Sequence, residues 1–392
     1  MLGMLCSRQP DQDTKVVFFR NVVLIIFSLS IFNNSLAFDS KNDVLQTYLS
    51  EGGFNDSVVD LVRERKVFHG MAGYYNNVDY YLITPTEITA ISDKHQLELF
   101  DEQWVVAAGR YNVLATKVKE FSGSLDQVFS DLDNLNSEVS NVVLASKPEL
   151  TLIDENLDRV RYAHLWKPFR QLTLFVEYCL VSLQSIFSTS WAWALVLLTI
   201  VIKVLLFPLA VFTASVQRKV SKVRSELEPK LDLIKQNYDG EEAHQRLIAA
   251  HKELGVSPFY SLKPMIPTLI QIPILISVFN ALGEMPQFHN QSFLWIDNLA
   301  YPDRVFDLGF SASLFGSTLN FLPFIMTIIT VLSTVLLVDN EMSDLAMKNQ
   351  KRKLYLMAGV FFLLFYPFPA VMVLYWTLVN LWSLLQRLIF KI

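Results

Sequence analysis

WAWALVLLTIVIKVLLFPLAVF, residues 191–212, is the stretch that decides the fold class, because it is apolar except for Thr199 and Lys203. As an α-helix rising about 1.5 Å per residue it would be about 33 Å long, enough to cross the hydrocarbon core of a bilayer. Lys203 would lie about 18 Å along that helix. Because an ionisable group at this depth is costly, Lys203 is a candidate functional residue.

Composition and three further apolar blocks predict an integral membrane protein. The chain has 392 residues, 52% of them hydrophobic, and a mean hydropathy of +0.32, which excludes an ordinary soluble domain. The further blocks cover 264–283, 319–338 and 354–389, and Pro367 and Pro369 divide the last into arms at 354–366 and 370–389. The predicted fold class is an all-α polytopic membrane protein with a five-helix core within 188–392.

The distribution of basic residues predicts the orientation of these helices. The loop 213–263 contains nine Lys and Arg residues, whereas 284–313 contains Arg304 alone. Because cytoplasmic loops are rich in Lys and Arg, the basic loop is predicted to be cytoplasmic. Five crossings then put the C-terminus in the cytoplasm and residues 38–190 on the outer side of the membrane.

The N-terminal residues 1–37 have the pattern of a secretory signal peptide. Three basic residues precede an apolar run at 22–32, and Ser35 and Ala37 fit a small-x-small cleavage site. Retention of this segment as an N-terminal membrane anchor is the alternative. Both interpretations export the residues that follow.

Residues 38–170 are predicted to form a small α+β periplasmic domain, and 171–187 an interfacial helix on the outer leaflet. Runs at 78–82 and 87–92 are strand-like and separated by Thr-Pro-Thr, which indicates a hairpin. Apolar residues then recur with 4-3 spacing, which predicts a long heptad helix at 110–145. That helix could pack within the chain or form a dimerising coiled coil. The seam comprises Leu114, Val118, Phe121, Leu125, Val128, Leu132, Leu135, Val139 and Val142.

Residues 213–260 are predicted to form a cytoplasmic helical hairpin. One apolar stripe, which includes Leu227, runs from 216 to 234, a turn follows at 237–240, and a second stripe runs to 254. The two stripes could pack against each other, and the hairpin could also serve as a docking surface.

Polar side chains within the apolar blocks predict a hydrated concavity around Lys203. Thr268 and Gln271 lie in one block and Asn380 in another, whereas the blocks contain no Asp or Glu, so we expect no protein partner for the ammonium. The sequence shows no nucleophile–base pair, phosphate-binding loop or metal-ligand spacing. We therefore expect no enzyme activity, no cofactor and no metal.

Several motifs in order along 185–390 resemble those of the YidC/Oxa membrane insertases. They are the cation before Leu-Leu-Phe-Pro208, Leu227-Glu-Pro229-Lys230, Gly255-Val-Ser-Pro258, Leu269-Ile-Gln271-Ile-Pro273, Phe293-Leu-Trp-Ile-Asp-Asn-Leu-Ala300 with Pro302-Asp303, and Phe368-Pro369 with Val373-Leu-Tyr375-Trp376-Thr-Leu-Val-Asn380. Lys203 stands where many members have Arg, and Ser257 replaces a common Asn.

This resemblance implies a hydrophilic groove that is open to the cytoplasm and to lipid but closed on the outside. It implies that the chain lies in the bacterial inner (plasma) membrane, with residues 38–190 in the periplasm. It also implies that the chain inserts and helps fold membrane proteins, with or without the Sec translocon. The groove residues would be Lys203, Gln271, Thr268, Tyr375, Trp376 and Asn380, and the cytoplasmic hairpin would contribute Leu227, Pro229 and Lys230. The implied partners are nascent membrane proteins, lipid, and possible contacts with the translocon and the ribosome, but no nucleic acid.

Two other function classes are each suggested by one feature of the sequence. A small secondary transporter could bind an anionic solute at Lys203, but it predicts two repeated halves. A non-catalytic scaffold for membrane complexes would act through the heptad helix and would not need Lys203.

Overall fold

The computed structural model describes residues 62, 68, 70–92, 96–125, 128, 142–253, 255, 266–312, 315–335 and 344–390. The predicted signal peptide at 1–37 lies outside these residues. The described part of the chain contains an antiparallel sheet, a helical bundle and a helical hairpin.

The sheet has five antiparallel strands in the order β2-β1-β3-β4-β5. They are β1 (Asp79–Ile83), β2 (Ile88–Ile91), β3 (Gln96–Ala108), β4 (Asn112–Ser124) and β5 (Val142–Ser146). The predicted hairpin is confirmed, since β1 and β2 pair with Tyr80 opposite Ile91. One face of the sheet packs on 150–160, where Leu150, Leu157 and Val160 are buried.

The predicted heptad helix at 110–145 is wrong wherever the structure describes strands in that range. Residues 112–124 form β4, which pairs with β3 on one edge and with β5 on the other. Val113, Leu114, Ala115 and Thr116 are consecutive and all buried, so both faces of this strand are covered. A strand buried on both faces loses the alternating pattern that distinguishes strands from helices. The predicted coiled-coil dimer required a helix along this seam, and the strand at 112–124 removes that basis.

The described part of the chain contains nine α-helices with defined bounds. They are α1 (Leu150–Ile153), α2 (Lys167–Phe187), α3 (Trp191–Leu205), α4 (Phe207–Asn237), α5 (Gly240–Glu253), α6 (Ile266–Glu284), α7 (Leu322–Val335), α8 (Asp344–Phe365) and α9 (Ala370–Phe390). Between α6 and α7, β6 (Phe306–Ala312) and β7 (Gly316–Leu319) form a two-stranded antiparallel sheet.

The apolar stretch 191–212 is not one continuous helix. It divides at Leu206, because Pro208 has no N–H to donate to the carbonyl of Val204. Helices α2 and α3 meet at a bend of 116°, and only as a pair do they reach the length and apolarity of a membrane span. No other described helix reaches both by itself.

The bundle is centred on α9, which packs against α3, α6 and α7, while α2 packs against α3 and α6 and α8 packs against α7. Helices α4 and α5 form a separate antiparallel pair. The predicted packing of their two apolar stripes is confirmed, since Leu227 and Ala250 are buried together with Val220, Val223, Leu231 and Ile234 against them.

Candidate functional site

Lys203 lies in the last turn of α3 and contacts α9. Its Nζ donates a hydrogen bond of 2.6 Å to Oγ of Ser383, and Ser383 donates in turn to the carbonyl of Val379 at 2.8 Å. The expectation that Lys203 has no protein partner is therefore corrected. The partner shown is a neutral hydroxyl, which solvates the ammonium without cancelling its charge.

One turn before Ser383, Asn380 joins α9 to α7. Its Nδ2 donates to Oγ1 of Thr330 at 2.8 Å, and that hydroxyl donates to the carbonyl of Met326 at 2.7 Å. The positions 380 and 383 are three apart, so they share one face of α9. A single turn of α9 thus contacts polar side chains of α3 and α7.

Tyr375 and Trp376 lie about two helical turns from Ser383, roughly 12 Å along α9. Tyr375 is buried and its ring meets that of Phe279 edge-on at 6.1 Å. Trp376 is half-buried and stacks on Phe361 of α8 at 5.3 Å. Both predicted aromatic residues therefore contribute to packing between α6, α8 and α9 at a different level from Lys203.

The two predicted site residues on α6 lie in its first half. Gln271 is exposed. Thr268 belongs to the first turn of the helix, but its side chain lies outside the described part of the structure. Their membership of a shared groove with Lys203 stays a prediction.

The three predicted residues of the hairpin have different environments. Leu227 is fully buried against α5. Lys230 is exposed and pairs with Glu253 of α5 at 2.9 Å. Pro229 lies within α4, with its side chain outside the description. Among the described side chains, the hairpin is closed by the apolar cluster around Leu227 and by this exposed ion pair, which contributes little stability.

Asp303, which belongs to one of the motifs quoted above, caps the N-terminal end of α7. Its Oδ2 accepts hydrogen bonds from the backbone N–H of Phe321 at 2.9 Å and of Leu322 at 2.6 Å, and from Nε1 of Trp295 at 3.2 Å. Burial raises the pKa of this carboxyl, although these hydrogen bonds act to lower it. The motif therefore has a structural role in capping a helix.

Ser383 is the site residue that sequence reasoning did not single out. It was visible as one of several hydroxyl residues in the last apolar arm, but hydroxyls in such helices commonly bond back to their own backbone. Ser383 does this and also accepts from Lys203. Only the packing of α9 against α3 distinguishes it from the others.

Comparison with known proteins identifies the family. The family model described as 60Kd inner membrane protein matches residues 182–392, which is 211 of 392 residues. Three relatives are each named membrane protein insertase YidC. The one from Janthinobacterium sp. (strain Marseille) is 32% identical over 200 residues, covering 50% of this chain and 33% of the relative.

The relative from Treponema denticola is 30% identical over 205 residues, covering 51% of this chain and 34% of the relative. The relative from Chloroherpeton thalassium is 26% identical over 218 residues, covering 54% and 35%. The chain thus spans about a third of the length of the curated relatives it matches. The range that the family model matches includes Lys203, Gln271, Asn380 and Ser383. The predicted resemblance is confirmed, and this chain belongs to the 60Kd inner membrane protein family.

Proposed function

We propose that this chain is a non-enzymatic membrane insertase, which inserts membrane proteins into the inner membrane and helps them fold. The observation that carries the proposal is a change in packing along the bundle, with Lys203 at the loosely packed end. The relatives' name, membrane protein insertase, and the family model that matches residues 182–392 support the same function.

The packing changes in the same direction on three helices. The first half of α3 contains fully buried residues such as Leu195 and Leu198, whereas residues 200–207 are all half-buried. Helix α6 is buried from 281 to 284 but exposed at Leu269 and Gln271. Helix α9 is buried over 370–375 and half-buried over 378–380. A bundle closed at one end and open at the other has the shape that a one-sided groove requires.

The open end contains the charge that would act on a client protein. A client's hydrophilic flank would enter beside Lys203, and its acidic groups would pair transiently with the ammonium in place of Ser383. This pairing would lower the cost of taking the flank out of water. The apolar client helix would then move into lipid, driven by burial of its apolar surface.

The finer parts of the proposal concern topology and contacts. The chain would cross the membrane five times, with residues 38–190 in the periplasm and the C-terminus in the cytoplasm. The α4–α5 hairpin would face the cytoplasm, next to the open end, where a ribosome or translocon could deliver a nascent chain. Gln271, Thr268, Asn380 and the aromatic pair at 375 and 376 would complete the groove.

Replacement of Lys203 in an insertase-depleted strain tests the charge. Lys203→Arg should support insertion of clients whose exported flank is acidic, and Lys203→Ala and Lys203→Glu should impair it. Lys219→Ala, which removes a cation from an exposed position of α4, is the matched control. Normal insertion of such clients by Lys203→Ala would show that the mechanism is wrong.

Site-specific crosslinking tests the path of the client directly. A photoreactive residue at position 203 or 271 should crosslink to a nascent membrane protein, and one at Ser190, at the closed end, should not. Equal yields from all three positions would contradict a one-sided groove.

A further inference from the structure

A short segment that precedes the sheet is packed inside the helical bundle. Phe68 and the 3-10 turn Gly70–Asn76, here called the plug, contribute buried Phe68, Ala72 and Tyr75 to the same apolar cluster as Leu195 of α3 and Val278 of α6. The core of the sheet is a different cluster, with other members. The plug therefore belongs to the bundle by packing, although it belongs by sequence to the region predicted to be exported.

The plug contacts the tightly packed ends of the helices. The Tyr75 hydroxyl lies 3.5 Å from Sδ of Met372 in the first turn of α9. A Cβ at Gly283, in the last turn of α6, would overlap that hydroxyl, so only glycine leaves room for the ring. Phe68 packs on Tyr301 with ring centroids 5.9 Å apart. The plug thus joins the ends of α6 and α9 to the loop between α6 and α7.

Arg110, just after β3, anchors the plug to the bundle. The residue is 3% exposed, and its Nε and Nη1 donate to the carbonyls of Gly283 at 2.7 Å and Ala300 at 3.0 Å. Its guanidinium carbon lies 4.8 Å from the ring centroid of Phe68 and 4.6 Å from that of Tyr75. A cation suits the carbonyl end of α6, and both rings gain a cation–π contact.

A buried ion pair adds a second anchor. Nζ of Lys147, directly after β5, lies 2.6 Å from Oε2 of Glu284, and the two side chains are 10% and 9% exposed. Nε2 of His164 lies 3.0 Å from Oδ1 of Asn280 on the same helix. Since a buried charge without its partner is costly, these contacts hold the sheet and the bundle in one arrangement.

We infer that the plug, anchored by Arg110, is the outer seal of the groove. This inference depends on the topology of the proposed function, in which the packed ends of α6 and α9 face the periplasm. All of the anchoring residues outside the bundle precede residue 182, where the family match begins. The exported region would therefore take part in the function of the insertase. Its removal would open a path for water between the ends of α6 and α9.

The test measures accessibility in the full chain in spheroplasts, with Cys6 and Cys179 replaced by Ser. Ser277, on α6 and fully buried, becomes the reporter as Ser277→Cys. A membrane-impermeant maleimide added outside should label it slowly. Tyr75→Ala combined with Arg110→Ala should raise the labelling rate about tenfold or more, as expected when a protected site opens. Unchanged labelling would overturn the inference.

Two controls separate a local opening from other effects. Arg159→Ala removes a cation that bonds to the carbonyls of Thr84 and Pro85 in the turn between β1 and β2, and it should leave labelling at 277 unchanged. Ala358→Cys reports on a buried site in α8, and it should stay protected in the plug variants. An equal rise at 358 would mean general loosening of the bundle and would also overturn the inference. Lys203→Ala should leave 277 protected, so failure of the groove charge and failure of the seal give different results.

Discussion

Nζ of Lys203 lies 2.6 Å from Oγ of Ser383, so the charged end of α3 is held against α9 by a neutral group from a residue 180 positions away. A carboxylate at position 383 would put a negative charge within ion-pair distance of the ammonium. Serine brings no charge of its own to this contact, and the relationship can be tested at both residues.

Ser383→Asp should impair insertion of clients with acidic exported flanks as strongly as Lys203→Ala. An aspartate at that distance would pair with Lys203 and compete with the client carboxylate. Ser383→Ala should have a smaller effect, since the charge remains. Insertion of a reporter client in a depleted strain provides the measurement. Full activity of Ser383→Asp would argue against a client-binding role for the charge.

The hydrogen bond between Asn380 and Thr330 should stabilise the packing of α9 on α7. We expect a coupling energy of about 0.6 to 1 kcal/mol between Asn380→Ala and Thr330→Val, the usual size for hydrogen bonds between membrane helices. A double-mutant cycle on unfolding of the purified protein in mixed micelles measures it. Additive effects would show that the 2.8 Å contact contributes no net stability.

Gly283→Ala should destabilise the protein by about 1 to 3 kcal/mol, the usual cost of overpacking, because the new methyl group overlaps the Tyr75 hydroxyl. Gly359→Ala is the matched control, since it lies within α8 with open space around the added methyl group. That change should be neutral or stabilising by up to about 1 kcal/mol. Equal thermal stabilities of the two variants in detergent would contradict the tight packing of the plug.

Asp154 should make the sheet sensitive to acid. Burial acts to raise its pKa, but hydrogen bonds from the backbone N–H of Asn156 and from Nε1 of Trp104 hold the pKa below the ordinary value of 3.8. A lowered pKa in the folded state contributes stability above the unfolded pKa, and this is lost as the pH falls through the folded pKa.

Asp154→Asn should therefore lose less stability than the parent protein when the pH is lowered from about 5 to about 3. Unfolding of the full chain in detergent, followed by tryptophan fluorescence at both pH values, measures the difference. Glu155→Gln removes the adjacent carboxylate and serves as the control. The same loss in Asp154→Asn as in the parent would remove Asp154 as the source.

Residues 112–124 illustrate where prediction from the sequence failed. Their 4-3 spacing is compatible with a helix, and consecutive buried residues at 113–116 conceal the alternation of a strand. What makes them a strand is pairing with β3 and β5 on both edges. Because those partners supply the backbone hydrogen bonds, no local pattern could reveal the choice.

Features that depend on local composition could be predicted from the amino-acid sequence. These are the apolar helices α6 and α9, the stripe on α4 that buries Leu227, the β1–β2 hairpin, and the cation within 191–212. Helix burial and turn chemistry operate over a few residues, so their signals are readable along the chain. The short motifs, read in order along the chain, likewise predicted the family.

Contacts between residues that are far apart in the chain could be read only from the tertiary structure. It put Ser383 beside Lys203, Arg110 on the carbonyl end of α6, and Tyr75 against Gly283. Each pair joins separate elements across more than one hundred residues, and the contact depends on the packing of whole elements. Nothing in the local pattern around residues 68–76 distinguishes a loop from a plug, because the residues that surround the plug come later in the chain.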